Sequence, residues 1–121
     1  MSSLVQKFRV TQEDCISDLA DYLPEMLGTY ILVKWMEIVS VKNIYRQIDK
    51  EKYITLGQIV NIEHLQMAKL GEEIEIISTI IEQEKRNLSF EIEAFNSEGV
   101  LVAKATHTRI LMPLKVFKKV F

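Results

Sequence analysis

Hydrophobic and polar positions divide the chain into a short first stretch, one dense apolar block and a long alternating remainder. Val5 to Val10 alternates like a strand, and Thr11 to Asp21 is polar and acidic, with Asp14, Asp18 and Asp21 among turn formers, which predicts a surface loop or short helix. From Thr29 onward apolar residues fall at 31, 32, 35, 36, 38, 39, 41, 44, 45 and 48 with no Gly or Pro between them. That spacing predicts a helix of about five turns, apolar on most of its girth. A surface helix would show a wide polar face, so this one is expected to be wrapped by other elements. Gly28 and Thr29 supply its start signal, with Thr29 as the expected N-cap.

After Asp49-Lys50-Glu51-Lys52 the chain reads as four strands rich in β-branched residues. Tyr53 to Glu63 is the first, with Ile54, Leu56, Val60 and Ile62 on one parity and Gly57 as an interior glycine that invites a bulge or a close backbone approach. Gly71 to Glu84 is the second. Asn87 to Phe95 is the third, with Leu88, Phe90, Ile92 and Ala94 facing one way and Glu91 and Glu93 the other. Asn96-Ser97-Glu98-Gly99 is a hairpin connection, and Val100 to Met112 returns as the fourth strand. A buried helix followed by an antiparallel meander is an α+β arrangement whose sheet must curl round the helix, which describes a hot-dog fold. A second subunit would cover the side of the helix left open, so a homodimer is expected, with a tetramer as the next assembly.

Composition narrows the function. At 121 residues, 48% hydrophobic and 26% charged, the chain fits one domain spanning 1–121 with a core that needs no disulfide or structural metal. Fifteen basic and 17 acidic residues leave a formal net charge of −2, which gives no pull towards nucleic acid. Lys115, Lys118 and Lys119 read as a solvated tail. Cys15 is the single cysteine, and His64 and His107 are the two histidines, so neither a disulfide nor a metal site is expected. The first residues lack an apolar run followed by a small-residue cleavage site, and the apolar stretch Tyr30 to Val33 is too short for a membrane span. The expected location is the cytoplasm, with no membrane partner.

Few residues stand out chemically. Glu37, between Met36 and Ile38, places a charge in the apolar helix, where an unpaired carboxylate is costly to bury. Held by donors, it can serve as a general base on water or as a nucleophile on a carbonyl carbon; otherwise it emerges at a polar edge beside Lys34 and Arg46. Thr29 is explained as an N-cap, yet a helix start also offers free N–H groups and a dipole to a developing oxyanion. His64 ends a strand, where a loop can carry it into a cleft and its imidazole can exchange a proton near neutral pH. His107 and Arg109 lie in the last strand, Arg109 as a phosphate contact or a surface charge.

Together Thr29, Glu37, Gly57 and His64 resemble the fluoroacetyl-CoA thioesterase-like family of hot-dog enzymes. That family carries a threonine before the central helix, a glutamate eight positions later, then a glycine in the next strand and a histidine seven positions beyond. Both intervals recur here, in Leu27-Gly28-Thr29-Tyr30 with Glu37 and in Leu56-Gly57 with Ile62-Glu63-His64. Lys69-Leu70-Gly71-Glu72-Glu73-Ile74 is similar to the family's glycine-led start of the next strand, and Ala105-Thr106-His107-Thr108-Arg109 to its terminal threonine-histidine-x-arginine stretch. The resemblance implies hydrolysis of a small acyl-CoA thioester, with Thr29, Glu37 and His64 as catalytic triad and no cofactor. Gly28, Gly57, His107 and Arg109 would bind substrate, Gly57 by letting the acyl group approach the backbone. Tyr30 stands where the family often has proline and Gly28 where alanine is common, so fluoroacetyl specificity is not implied.

A non-catalytic module that binds acyl-CoA is the alternative, although it would not need a threonine, a buried glutamate and a histidine at these intervals. A hot-dog dehydratase would want an aspartate and a histidine a few positions apart, and none is present at that spacing.

Overall fold

A computed structural model describes residues 2–121. Five antiparallel strands, β1 (Ser3–Arg9), β2 (Tyr53–His64), β3 (Glu73–Glu84), β4 (Asn87–Asn96) and β5 (Leu101–Pro113), form one sheet in the order β1-β3-β4-β5-β2. The helix α1 (Thr29–Ile44) lies against β1, β2 and β3, and a short helix α2 (Leu114–Val120) follows β5. This is the expected α+β wrapping of a sheet around a helix. The meander, however, is confined to β3, β4 and β5. β2 passes over β3 in the chain to pair with β5, from Tyr53 opposite Pro113 to His64 opposite Ala103. The free edges are therefore β1 and β2.

The sheet follows the alternation of its side chains. Ile74 and Ile76 on β3, Leu88, Phe90, Ile92 and Ala94 on β4, and Ala103, Ala105 and Leu111 on β5 are all buried with Leu32, Met36 and Val39 of α1. Burying each large aliphatic side chain contributes about 1.5–3 kcal/mol, so these facing rows hold the sheet to the helix. Trp35 of α1 stacks on Phe8 of β1, ring centroids 4.8 Å apart, and closes the β1 side. Ser40 and Asn43 are buried polar residues of α1, and both are satisfied: Ser40 Oγ donates to the Met36 carbonyl and pairs with Ser78 Oγ, while Asn43 Nδ2 donates to the carbonyls of Ser2 and Ser78.

Turn chemistry sets the hairpins. Gly99 takes φ 77 as the Asn96 to Gly99 signal predicts, whereas the β3–β4 turn places Lys85 at φ 57, a left-handed conformation that its side chain does not announce. The helix is shorter than its apolar pattern, because after Ile44 the chain tightens into turns in which Gln47 and Ile48 still donate to the Ile44 carbonyl. Lys115, Lys118 and Lys119 are exposed on α2 rather than on an irregular tail.

Candidate functional site

The start of α1 is fixed by the loops around it. Leu27 N–H donates to the Ala68 carbonyl and Gly28 N–H to the Asp14 carbonyl, which aims the first turn at the end of β2. Gly28, not Thr29, is the N-cap, and no side chain caps this terminus. The Thr29 hydroxyl points instead to His64, with Oγ1 2.8 Å from Nδ1. The far end of β2 is held by Leu65 and Gln66, whose N–H groups both donate to the Val102 carbonyl. His64 Nε2 is buried and has no hydrogen-bond partner among the described residues. Beside the pair lies a hollow of about 320 Å³, with Ile16, Met26, Leu27, Leu65 and Met67 as its apolar wall.

Glu37 belongs to a second centre, eight residues along α1 and so about 12 Å from Thr29 at 1.5 Å rise per residue. Its Oε1 lies 3.2 Å from Arg109 Nη1. Arg109 is buried, its side chain 7% exposed, while Glu37 keeps 42% exposure. Arg109 makes four hydrogen bonds: Nη1 to Glu37 Oε1 and to His107 Nε2, Nε to Thr55 Oγ1, and Nη2 to the Thr55 carbonyl. His107 is buried as well, and its Nδ1 lies 2.7 Å from the Ile59 carbonyl oxygen. Burial pushes the His107 imidazole below its usual range, the Ile59 hydrogen bond opposes this and neighbouring Arg109 adds to the lowering. Burial also lowers Arg109, with Glu37 opposing, and a guanidinium so placed stays charged.

Gly57 explains itself in this centre. A β-carbon there would lie 2.7 Å from Glu37 Oε1 and 3.1 Å from Arg109 Nη1, so the carboxylate occupies the room that a side chain would take. A bulge at Gly57 to Ile59 follows, with Gly57 opposite Arg109 and Ile59 opposite Thr108. The close approach predicted at Gly57 is therefore made by Glu37 itself, and the expected acyl contact is not needed to account for it. Gly28 has a similar explanation: a β-carbon would lie 2.5 Å from the Tyr30 ring, so the glycine and the tyrosine are fitted to each other.

Thus Thr29 and His64 meet, Glu37, Gly57, His107 and Arg109 meet, and the two groups do not touch within one chain. His107 and Arg109 turn inward, because the sheet face they occupy is the one that packs on α1. Sequence reading missed Thr55 and the Ile59 carbonyl, which only the pairing of β2 with β5 brings to Arg109 and His107. A hollow of about 480 Å³ lies among Asn61, Glu63, Glu91, Glu93, Lys104 and Thr106, and none of the candidate residues lines it. Among the described residues no three His, Cys, Asp or Glu side chains gather as a metal site, and no helix is long and apolar enough to cross a membrane.

The family of fluoroacetyl-CoA-specific thioesterases, FlK, matches residues 10–115. No curated protein matches the chain by sequence. Among solved structures it is similar to a Thermus thermophilus hypothetical protein described as a thioesterase superfamily member, at TM-score 0.89 and 22% identity, covering 98% of this chain and 87% of that one. A hot-dog-like protein from Thermanaerovibrio acidaminovorans gives TM-score 0.87 at 17% identity, covering 98% and 86%. The fluoroacetyl-CoA thioesterase FlK gives 0.86 at 20% identity, covering 97% and 90%. At these identities the structural likeness shows the fold, and the family match adds the class: the chain belongs to the FlK family of hot-dog acyl-CoA thioesterases.

Proposed function

We propose that the protein hydrolyses a small acyl-CoA thioester to the free acid and CoA through Thr29, Glu37 and His64. The reading rests on the Thr29–His64 hydrogen bond beside an apolar hollow at the N-terminus of the helix that also carries Glu37. The hollow suits the acyl group, and its carbonyl would face the Thr29 hydroxyl and the unpaired N–H groups of the first turn, where the oxyanion develops. Glu37, a carboxylate half open to solvent and aligned by Arg109, takes a proton from water as the oxygen attacks the carbonyl carbon. Collapse of the tetrahedral intermediate breaks the C–S bond, and the departing thiolate takes up that proton. His64 orients the water and relays protons through its uncommitted Nε2. A Glu37 attack on the carbonyl, giving an anhydride that water then opens, uses the same groups.

The working unit in this reading is a homodimer in the cytoplasm. β2 is a 12-residue free edge on which Leu56 and Ile59 are exposed, so a second copy can extend the sheet there. Two-fold pairing runs the two β2 strands antiparallel, which turns the Gly57 end of one towards the His64 end of the other. Glu37 of one subunit would then complete the Thr29 and His64 pair of its neighbour across the distance that separates them in one chain.

Free-thiol release from acyl-CoA thioesters of two to eight or so carbons, branched and halogenated ones included, tests the reading. Glu37→Gln and His64→Ala are expected to be folded and each slower by roughly 10²–10⁴-fold. Mixed and re-equilibrated, the two variants regain about a quarter of the wild-type rate if the site is shared in a dimer, since half the dimers then hold one intact site of two. Tight acyl-CoA binding without turnover would replace hydrolysis with a binding role.

A further inference from the structure

We infer that His107 is a positioning residue for Glu37, acting through Arg109. The catalytic consequence rests on the function proposed above; the arrangement itself does not. His107 and Arg109 are two apart on β5 and so share the face turned to α1. A carbonyl oxygen can only accept, so the contact between His107 Nδ1 and the Ile59 carbonyl requires the proton on Nδ1. A neutral ring protonated there leaves Nε2 as an acceptor, and Nε2 faces a group that can only donate, Arg109 Nη1, at 3.1 Å. The same nitrogen carries the second proton that reaches Glu37. The direction of every bond is thereby set, from the Glu37 carboxylate back to the main chain of β2.

Two further observations fix the ring. Phe90, fully buried, lies against it with centroids 5.6 Å apart and planes tilted by 31°. The Ile59 carbonyl is offered at the bulge where Gly57 makes room for the carboxylate, so one irregularity in β2 serves both ends of the chain of bonds. The charged and titratable groups facing His107 are Arg109 and Glu37. Thr55 completes the clamp by taking Nε and Nη2 of Arg109, which stops the guanidinium from rotating about its own axis. His107 and Arg109 both lie nine-tenths or more beneath the surface of the chain, behind Glu37, which keeps 42% exposure. Partners that orient a metal-binding side chain from behind cost roughly 10–100-fold when removed, and an effect of that order is expected for a group that orients a carboxylate.

His107→Leu removes the acceptor, while His107→Gln keeps one within reach of Arg109. For the leucine variant kcat is expected to fall roughly 10–100-fold with KM within about twofold of wild type, and for glutamine most of kcat is expected to return. A rise in KM at unchanged kcat would instead make His107 a substrate contact, and an equal loss of kcat in both variants would make its role structural; either overturns the inference. Nitrogen-15 spectra of the wild-type protein give a readout that needs neither substrate nor variant. Expected are a neutral His107 with its proton on Nδ1 and Arg109 Nη1 protons protected from exchange with solvent. A proton on Nε2, or freely exchanging Arg109 protons, would overturn the inference even in an active thioesterase. The expected spectra in a protein that hydrolyses no thioester would leave the inference standing and defeat the proposed function instead.

Discussion

Thr29 and His64 meet through one hydrogen bond at the rim of an open hollow, whereas Glu37 heads a chain of bonds that runs through Arg109 and His107 into the main chain of β2. The first pair comes from a helix start and a strand end, each held by loop contacts. The second group comes from the middle of α1, β2 and β5, where the sheet and the helix are already locked together by their core. A carboxylate that must stay aimed is best held by rigid elements, and a pair beside an open hollow gains room from standing at element ends. On the proposed function, the contrast separates two demands, a fixed carboxylate at Glu37 and access at Thr29.

Breaking each half should register differently, and the largest effect is expected at the buried guanidinium. Arg109→Met leaves buried His107 Nε2 without its donor, at about 1–3 kcal/mol for an unsatisfied buried group, and takes the donor from half-buried Thr55 Oγ1 as well, while Glu37 can still turn to water. A loss of about 2–4 kcal/mol in urea unfolding is expected, against no more than about 0.5 kcal/mol for exposed Thr29→Ala. Similar losses at both positions would erase the contrast. A smaller effect is expected from Gly57→Ala, because the added methyl must push away Glu37 Oε1 or Arg109 Nη1. Overpacking of this kind costs about 1–3 kcal/mol, and thiol release should slow with it although residue 57 itself carries no reacting group.

The smallest effect concerns pH. Because the folded His107 is held below the usual histidine value of about 6.5, the unfolded chain binds a proton that the folded chain refuses as pH drops beneath that value. Its contribution to stability is thus complete above that pH and declines below it, by at most about 1.4 kcal/mol per pH unit. Urea unfolding at pH 7.5 and 5 should show a steeper decline for the wild type than for His107→Gln. Equal declines would mean that burial of the imidazole does not matter to acid stability.

Much of the fold was legible because the periodicities are strong: the apolar block from Ile31, the alternation of Leu88 to Ala94 and the glycine at 99 each announced an element. What could not be read was which strand lies beside which. β2 beside β5 depends on the long-range pairing of Gly57 with Arg109, and no local pattern carries that. The same gap explains the site. Thr29, Glu37 and His64 could be singled out one at a time, and their intervals resembled a family, but Thr29 as an N-cap and Arg109 as a phosphate contact were readings of isolated residues. The structure gives the Thr29 hydroxyl to His64 and the guanidinium to Glu37. Gly28 and Tyr30, two separate departures in sequence, become one adjustment once the ring is seen over the glycine.

The position of β1 has a kinetic consequence. Ser3 pairs with Thr79, 76 residues away, and β1 is paired with β3 along its whole length, to Arg9 opposite Glu73. The hairpins β3–β4 and β4–β5 close over short loops, so they can form within microseconds, while β1 has to wait for a finished β3 and for the face of α1 that carries Trp35. β1 is thus the strand to expect last in refolding, and until it docks, the outer edge of β3 stays open to any other extended chain.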